Sequence, residues 1–294
     1  MHSREVHRIV HAQRQTEGGG FVVRRPFPMA GMEQVDPFLL LDEMGPVTYG
    51  PGQAVGAPDH PHRGFETVTY MLAGEFQHAD SAGNRGRIRP GDVQWMTAGD
   101  GVVHSELPAD WVIEQGGRVH GFQLWVNLPA RDKRIAPRYQ DVRAEEMPSW
   151  ASADGHARVR VIAGRALGVQ ARAETRTPIT YLDVSLDDGA DLVLDLPLAQ
   201  NAFVYVFGGA VSVGEQARAA RDGDMAMLTS GDQLRLRATA AATRLLVIAG
   251  EPLREPVARY GPFVMNTREE ILEAFNDYQA GRFGRINPVQ TNAG

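Results

Sequence analysis

His60, Pro61 and His62, with Glu66 just beyond, and then His104, Ser105 and Glu106 are the residues whose types and spacing could do chemistry. Imidazoles and carboxylates are ligands for divalent cations. In an extended strand successive side chains alternate faces, so His60, His62 and Glu66 are expected to point one way. The same parity puts His104 and Glu106 on one face of a second strand. Two such strands, roughly forty residues apart in sequence, can enclose a single cation. A strand of a metal-free barrel would carry Val, Ile or Leu at these places. Inward polar groups need a partner, because an unpaired buried one is costly.

The elements that must position these groups read as β-structure. Apolar runs are short, rich in Val, Leu and Phe, and broken at close intervals by Gly, Pro, Asp and Asn. Examples are Thr67–Leu72, Phe122–Val126, Phe203–Phe207 and Leu245–Ile248. This pattern predicts an all-β sandwich or barrel rather than βαβ units. One helix is expected near the end, where Thr267 and Glu270 form a capping box and Ile271, Leu272, Phe275 and Tyr278 make an apolar stripe. The charged, proline-bearing stretch from Leu128 to Pro148 reads as a connector.

Composition narrows the function classes. The 294 residues are 43% hydrophobic and 22% charged, which suits a soluble globular protein of one large or two ordinary domains. A net charge of −6 gives no electrostatic footprint for nucleic acid, so direct nucleic-acid binding is not expected. There is no cysteine, so any metal must be held by nitrogen and oxygen. No apolar run approaches the roughly 20 residues of a membrane span, and the polar N-terminus lacks the apolar core of a secretion signal. A cytoplasmic protein without a membrane partner is expected. Nothing in the chain sets an oligomeric state; a monomer is the expectation. Neither a phosphate-binding loop nor a serine nucleophile elbow is present.

The chain also repeats itself. Tyr70-Met71-Leu72-Ala73-Gly74 corresponds to Tyr205-Val206-Phe207-Gly208-Gly209, and Gly91-Asp92 with Thr97 and Gly99 recurs as Gly223-Asp224 with Thr229 and Gly231. A β-rich unit duplicated in tandem explains this order. Carried across the first correspondence, His60, His62 and Glu66 fall on Asp195, Pro197 and Asn201; across the second, His104 and Glu106 fall on Leu236 and Ala238. No imidazole survives at the matched positions of the second copy, so the candidate site belongs to the first half.

These residues resemble the pirins, iron-binding members of the cupin superfamily. The resemblance rests on Asp36–Glu43, Pro58–Val68, Gly91–Gly99 and Val103–Glu106, with a tail-like Asp277–Gly284 at the end. It departs from the general cupin pattern at Ala54, where a glycine is usual, and at Thr97, where a proline is usual; pirins depart similarly. It implies an all-β fold of two tandem jelly-roll-like cupin barrels with a C-terminal helix. The expected division is 1–135 for a metal-binding barrel that includes the N-terminal strand region, and 136–294 for a second barrel without metal ligands plus the helix.

The resemblance implies metal ligands at His60, His62, His104 and Glu106, with Glu66 behind them, whereas spacing alone leaves Glu66 open as a ligand. It also implies one mononuclear divalent metal, Fe(II) before other divalent transition metals. The expected activity resembles that of pirin-type quercetinases, in which a flavonol such as quercetin is cleaved with O2 and carbon monoxide is released. Glu106 would then be both ligand and base. The alternative is a non-enzymatic, iron-dependent redox regulator that binds a protein partner; a site that only stabilises the barrel is the third reading. Among the other histidines, His78 is expected to be solvated and His120 to be hydrogen-bonded in the core.

Overall fold

The structure, a computed structural model, describes residues 2–17 and 19–287. The chain forms two compact units, each a β-barrel built from a seven-stranded and a four-stranded sheet. In the histidine-bearing unit the four-stranded sheet runs in the order Ala57–His62, Val102–Pro108, Phe76–Asp80, Arg85–Ile88. Its larger sheet places Phe65–Ala73 between Val93–Thr97 and Gly117–Asn127, with Arg138–Val142 at one edge. The expected connector from Leu128 to Pro148 therefore contributes a strand to this sheet.

The other unit repeats the plan. Its four-stranded sheet has the order Asp191–Asp195, Gln233–Ala238, Ala210–Val213, Arg218–Arg221. The duplicated Gly-Asp marks the same turn in both. Gly91 and Gly223 have φ of +89° and +84°, which favours glycine. Asp92 and Asp224 then each accept a hydrogen bond at 3.0 Å from the backbone N–H three residues earlier, that of Arg89 and of Arg221. This closes the turn that launches the next strand.

The two interiors differ in chemistry. The second barrel is filled by an apolar cluster that includes Leu192, Leu194, Leu234, Leu236 and Ala238. Leu236 faces Leu192 across the sheet as His104 faces His60 in the first barrel. The spatial counterparts of His60 and His62 are thus Leu192 and Leu194, not Asp195 and Pro197. The connection following the strand is longer in the second barrel, Asp195 to Asn201 against His62 to Phe65, and this shifts the alignment.

The compact units also divide the chain differently from the expected boundary at 135/136. One unit gathers Met1–Gln15, Arg24–Asp42 and Val142–Arg254; the other gathers Thr16–Val23, Glu43–Asp141 and Glu255–Gly294. The terminal segments have exchanged barrels. Val6–His11 pairs with Asp224–Leu228, covering an edge strand that would otherwise expose its backbone groups. The helix Arg268–Gln279 buries Ile271 and Ala274 with Phe263, Met265, Phe283 and Val103 of the histidine-bearing unit.

That helix has the expected capping box: the Thr267 hydroxyl accepts the Glu270 N–H at 3.2 Å, and the Glu270 carboxylate accepts the Thr267 N–H at 3.0 Å. Thr267→Ala is expected to cost about 1 kcal/mol, read as a lower urea midpoint at unchanged slope.

Candidate metal centre

The strands Ala57–His62 and Val102–Pro108 pair antiparallel with His104 opposite His60 and Val102 opposite His62. Strand alternation aims both His60 and His62 inward, and the register brings His104 against them. One ring nitrogen from each of the three lies within 4.8 Å of the others. Ring centroids are 4.4 Å apart for His60–His104, 4.7 Å for His60–His62 and 4.9 Å for His62–His104.

Backbone carbonyls set two of the rings. His60 Nδ1 lies 2.7 Å from the Pro58 oxygen and His62 Nδ1 3.4 Å from the Pro262 oxygen. A carbonyl only accepts, so Nδ1 carries the proton in both and Nε2 keeps a lone pair, as a metal ligand requires. His104 is different. It is 1% exposed, and neither ring nitrogen has a hydrogen-bond partner among the described residues. Burial first, then the neighbouring imidazoles, holds the pKa of His62 and of His104 well below the ordinary histidine range. Three imidazoles that converge, one of them wholly unsatisfied, fit a divalent metal bound by nitrogen.

Glu106 shares the inward face of its strand with His104, but its carboxylate lies outside the three-histidine group. One oxygen accepts from the Thr69 hydroxyl at 2.8 Å and the other from the Gln123 amide at 2.8 Å. Thr69 and Gln123 were not singled out by sequence. A period-two run of polar residues on the strands Phe65–Ala73 and Gly117–Asn127 is the pattern that marks them. Trp125 lines the same face, with its ring 5.2 Å from His62 and 4.3 Å from Phe65, and Arg259 covers it at 5.0 Å.

Glu66 departs from expectation. The His60 strand ends at His62, and after Arg63 and Gly64 the chain enters the other sheet. Parity does not carry across that break. Within Phe65–Ala73, Glu66 has the opposite parity to Thr69, so it faces away from the barrel interior. It sits opposite Thr97, whose hydroxyl it accepts at 2.6 Å.

His78 is also not solvated: it is buried and stacks on Tyr139 at 5.2 Å. His120 is in the core as expected, 2.8 Å from Glu43.

The loop after His62 is held from several sides. Arg63 is buried, its guanidinium 2.7 Å from Asp277 and 3.3 Å from Asp100. Gly64 has φ +88°, and a Cβ there would fall on the Val264 carbonyl. The buried Lys133 ammonium donates to the Gly64 oxygen at 2.7 Å, Asn127 Oδ1 at 2.6 Å and the Val264 oxygen at 3.0 Å.

Among the described residues, no helix is long and apolar enough to cross a membrane.

Comparison with known proteins places this geometry in context. Residues 20–126 match the Pirin family, and residues 181–284 match the Pirin C-terminal cupin domain. A pirin-like protein of Solanum lycopersicum is 44% identical over 94% of this chain and 91% of its own length. Human pirin is 42% identical over 96% of this chain and 94% of its own length. Among solved structures, a quercetin 2,3-dioxygenase from Acinetobacter baumannii is 38% identical, covers 97% of this chain and 99% of its own, and superposes with a TM-score of 0.91.

Proposed function

The chain belongs to the pirin family, and from that premise we propose that its first barrel is a mononuclear metal site acting on a flavonol with O2. His60, His62 and His104 are its nitrogen ligands and Glu106 its fourth. Iron in the ferrous state is the metal proposed, and the ring cleavage takes up both atoms of O2 and releases carbon monoxide. The observation that carries this reading is His104, whose buried ring nitrogens lack partners beside two imidazoles with free Nε2 lone pairs. The substrate class is supported by likeness to a protein named quercetin 2,3-dioxygenase.

A divalent metal bound there supplies Lewis acidity toward a substrate hydroxyl and, as iron, redox chemistry toward O2. The chain's own residues do the rest. Glu106 takes the flavonol hydroxyl proton onto a carboxylate oxygen, since it lies on the ligand strand and is inward-facing. His60, Gln123 and Trp125 are partly exposed while His62 and His104 are buried, so substrate approaches on the His60 side. Trp125, with Arg259 over its ring, makes an aromatic wall on that side. Phe65 packs behind it and keeps water from that side.

A second reading, a redox-dependent regulator with a protein partner, is favoured by Arg63. It follows His62 directly, and its guanidinium reaches the half-exposed Asp100, so the charge of the site is felt at charged surface groups. Oxygen uptake separates the two. Iron-loaded protein mixed with quercetin is expected to consume O2 and release carbon monoxide in equal amounts. Absence of uptake with every flavonol tried favours the regulator.

A further inference from the structure

Both oxygens of Glu106 are taken, and the way they are taken is specific. Thr69 and Gln123 are directly opposed partners on neighbouring strands of the larger sheet. Strand geometry therefore aims both side chains from one sheet across the barrel at the Glu106 strand of the other. Each supplies one donor at 2.8 Å. A glutamine amide can present either its oxygen or its NH2, and only NH2 suits a carboxylate. Trp125, two residues on and on the same face, donates its Nε1–H to Gln123 Oε1 at 3.3 Å, which turns the NH2 toward Glu106.

We propose that Thr69 and Gln123, with Trp125 setting the Gln123 amide, are positioning residues that hold the Glu106 carboxylate in reserve. They compete with the metal for its oxygens, and so set the metal affinity. This rests on the assignment of Glu106 as fourth ligand made above. Hydrogen bonds to an ionised carboxylate are about twice as strong as neutral ones. The carboxylate lies outside the three-histidine group, so on this proposal it joins the metal's coordination shell by turning away from at least one of these donors. The consequence is contrary to that of a purely structural role: deleting a donor raises metal affinity, because the metal-free state loses more than the loaded one. A residue that merely propped up the site would weaken binding when removed.

The test is calorimetric titration of Ni(II), a probe that does not react with O2, into metal-free full-length protein. Thr69→Val and Gln123→Leu are each expected to bind Ni(II) about tenfold more tightly than wild type, the scale of one charge-assisted hydrogen bond. Trp125→Phe, which keeps the ring and loses only the N–H, is expected to shift in the same direction by less. In a Glu106→Gln background these gains disappear. Unchanged or weaker binding in both Thr69→Val and Gln123→Leu overturns the proposal, as does an equal gain in the Glu106→Gln background. Those outcomes leave the metal site itself standing. A wild-type protein that binds no Ni(II), Co(II) or Fe(II) removes the metal-site reading, and this inference with it.

Discussion

His104→Leu is expected to lose metal binding and gain stability in the metal-free state at once. His104 is buried with both ring nitrogens unsatisfied, so in the empty barrel it costs free energy that leucine does not. The second barrel shows leucine accommodated at the equivalent place, Leu236, fully buried among apolar neighbours. Replacing the imidazole by a side chain of similar volume is expected to stabilise the metal-free protein by about 1–3 kcal/mol, read by urea unfolding. Loss of one of three nitrogen ligands is expected to lower Ni(II) affinity at least about hundredfold and to bring O2 uptake with quercetin to background. Retention of wild-type metal affinity by this variant would sink the assignment of the site. A His62→Ala variant is expected to share the loss of metal and activity without the gain in stability, since it also removes ring contacts to Phe65 and Trp125.

The other large effect is expected at Lys133. Lys133 is 1% exposed, and its ammonium supplies donors to three acceptors that join the loop after His62 to the segment around Val264. Lys133→Met leaves all three without that donor and is expected to destabilise the protein by about 3–5 kcal/mol. Burial lowers the Lys133 pKa from 10.5 to about 7, with Glu255 and Glu270 opposing the shift. Between those pH values the unfolded chain holds a proton that the folded chain releases, so wild-type stability rises with pH across that window. The Lys133→Met variant is expected to lack this rise. Parallel urea unfolding of both proteins at several pH values reads it directly; equal slopes would mean that Lys133 stays fully charged in the fold.

The fold and the three histidines were legible because both rest on local periodicity. Alternation within one strand relates His60 to His62, and another strand supplies His104 at the facing register. What failed was periodicity extended past its element. Glu66 was read in phase with His62, but the turn at Arg63 and Gly64 passes the chain from one sheet to the other and resets the phase. The same limit misplaced the counterparts of His60 and His62 in the second copy. His78 sits beside a turn and looked solvated; its burial depends on Tyr139, a residue in what read as a connector. Thr69, Gln123 and Lys133 escaped notice because their roles lie in partners far along the chain. The exchange of terminal segments between barrels is non-local in the same sense.

That exchange bears on how the protein is made. The ribosome releases the chain from the N-terminus, yet the histidine-bearing barrel includes residues from Glu255 onward. His62 is oriented by Pro262, its loop is joined by Lys133 to Val264, and Arg63 pairs with Asp277. During synthesis the ligand strands emerge first and wait without these contacts until Pro262, Val264 and Asp277 appear. Val6–His11 waits in turn for Asp224–Leu228. The metal centre is therefore completed only after the whole of Val142–Arg254 has been made, and a nascent chain stalled before Pro262 would display its histidines without the groups that aim them.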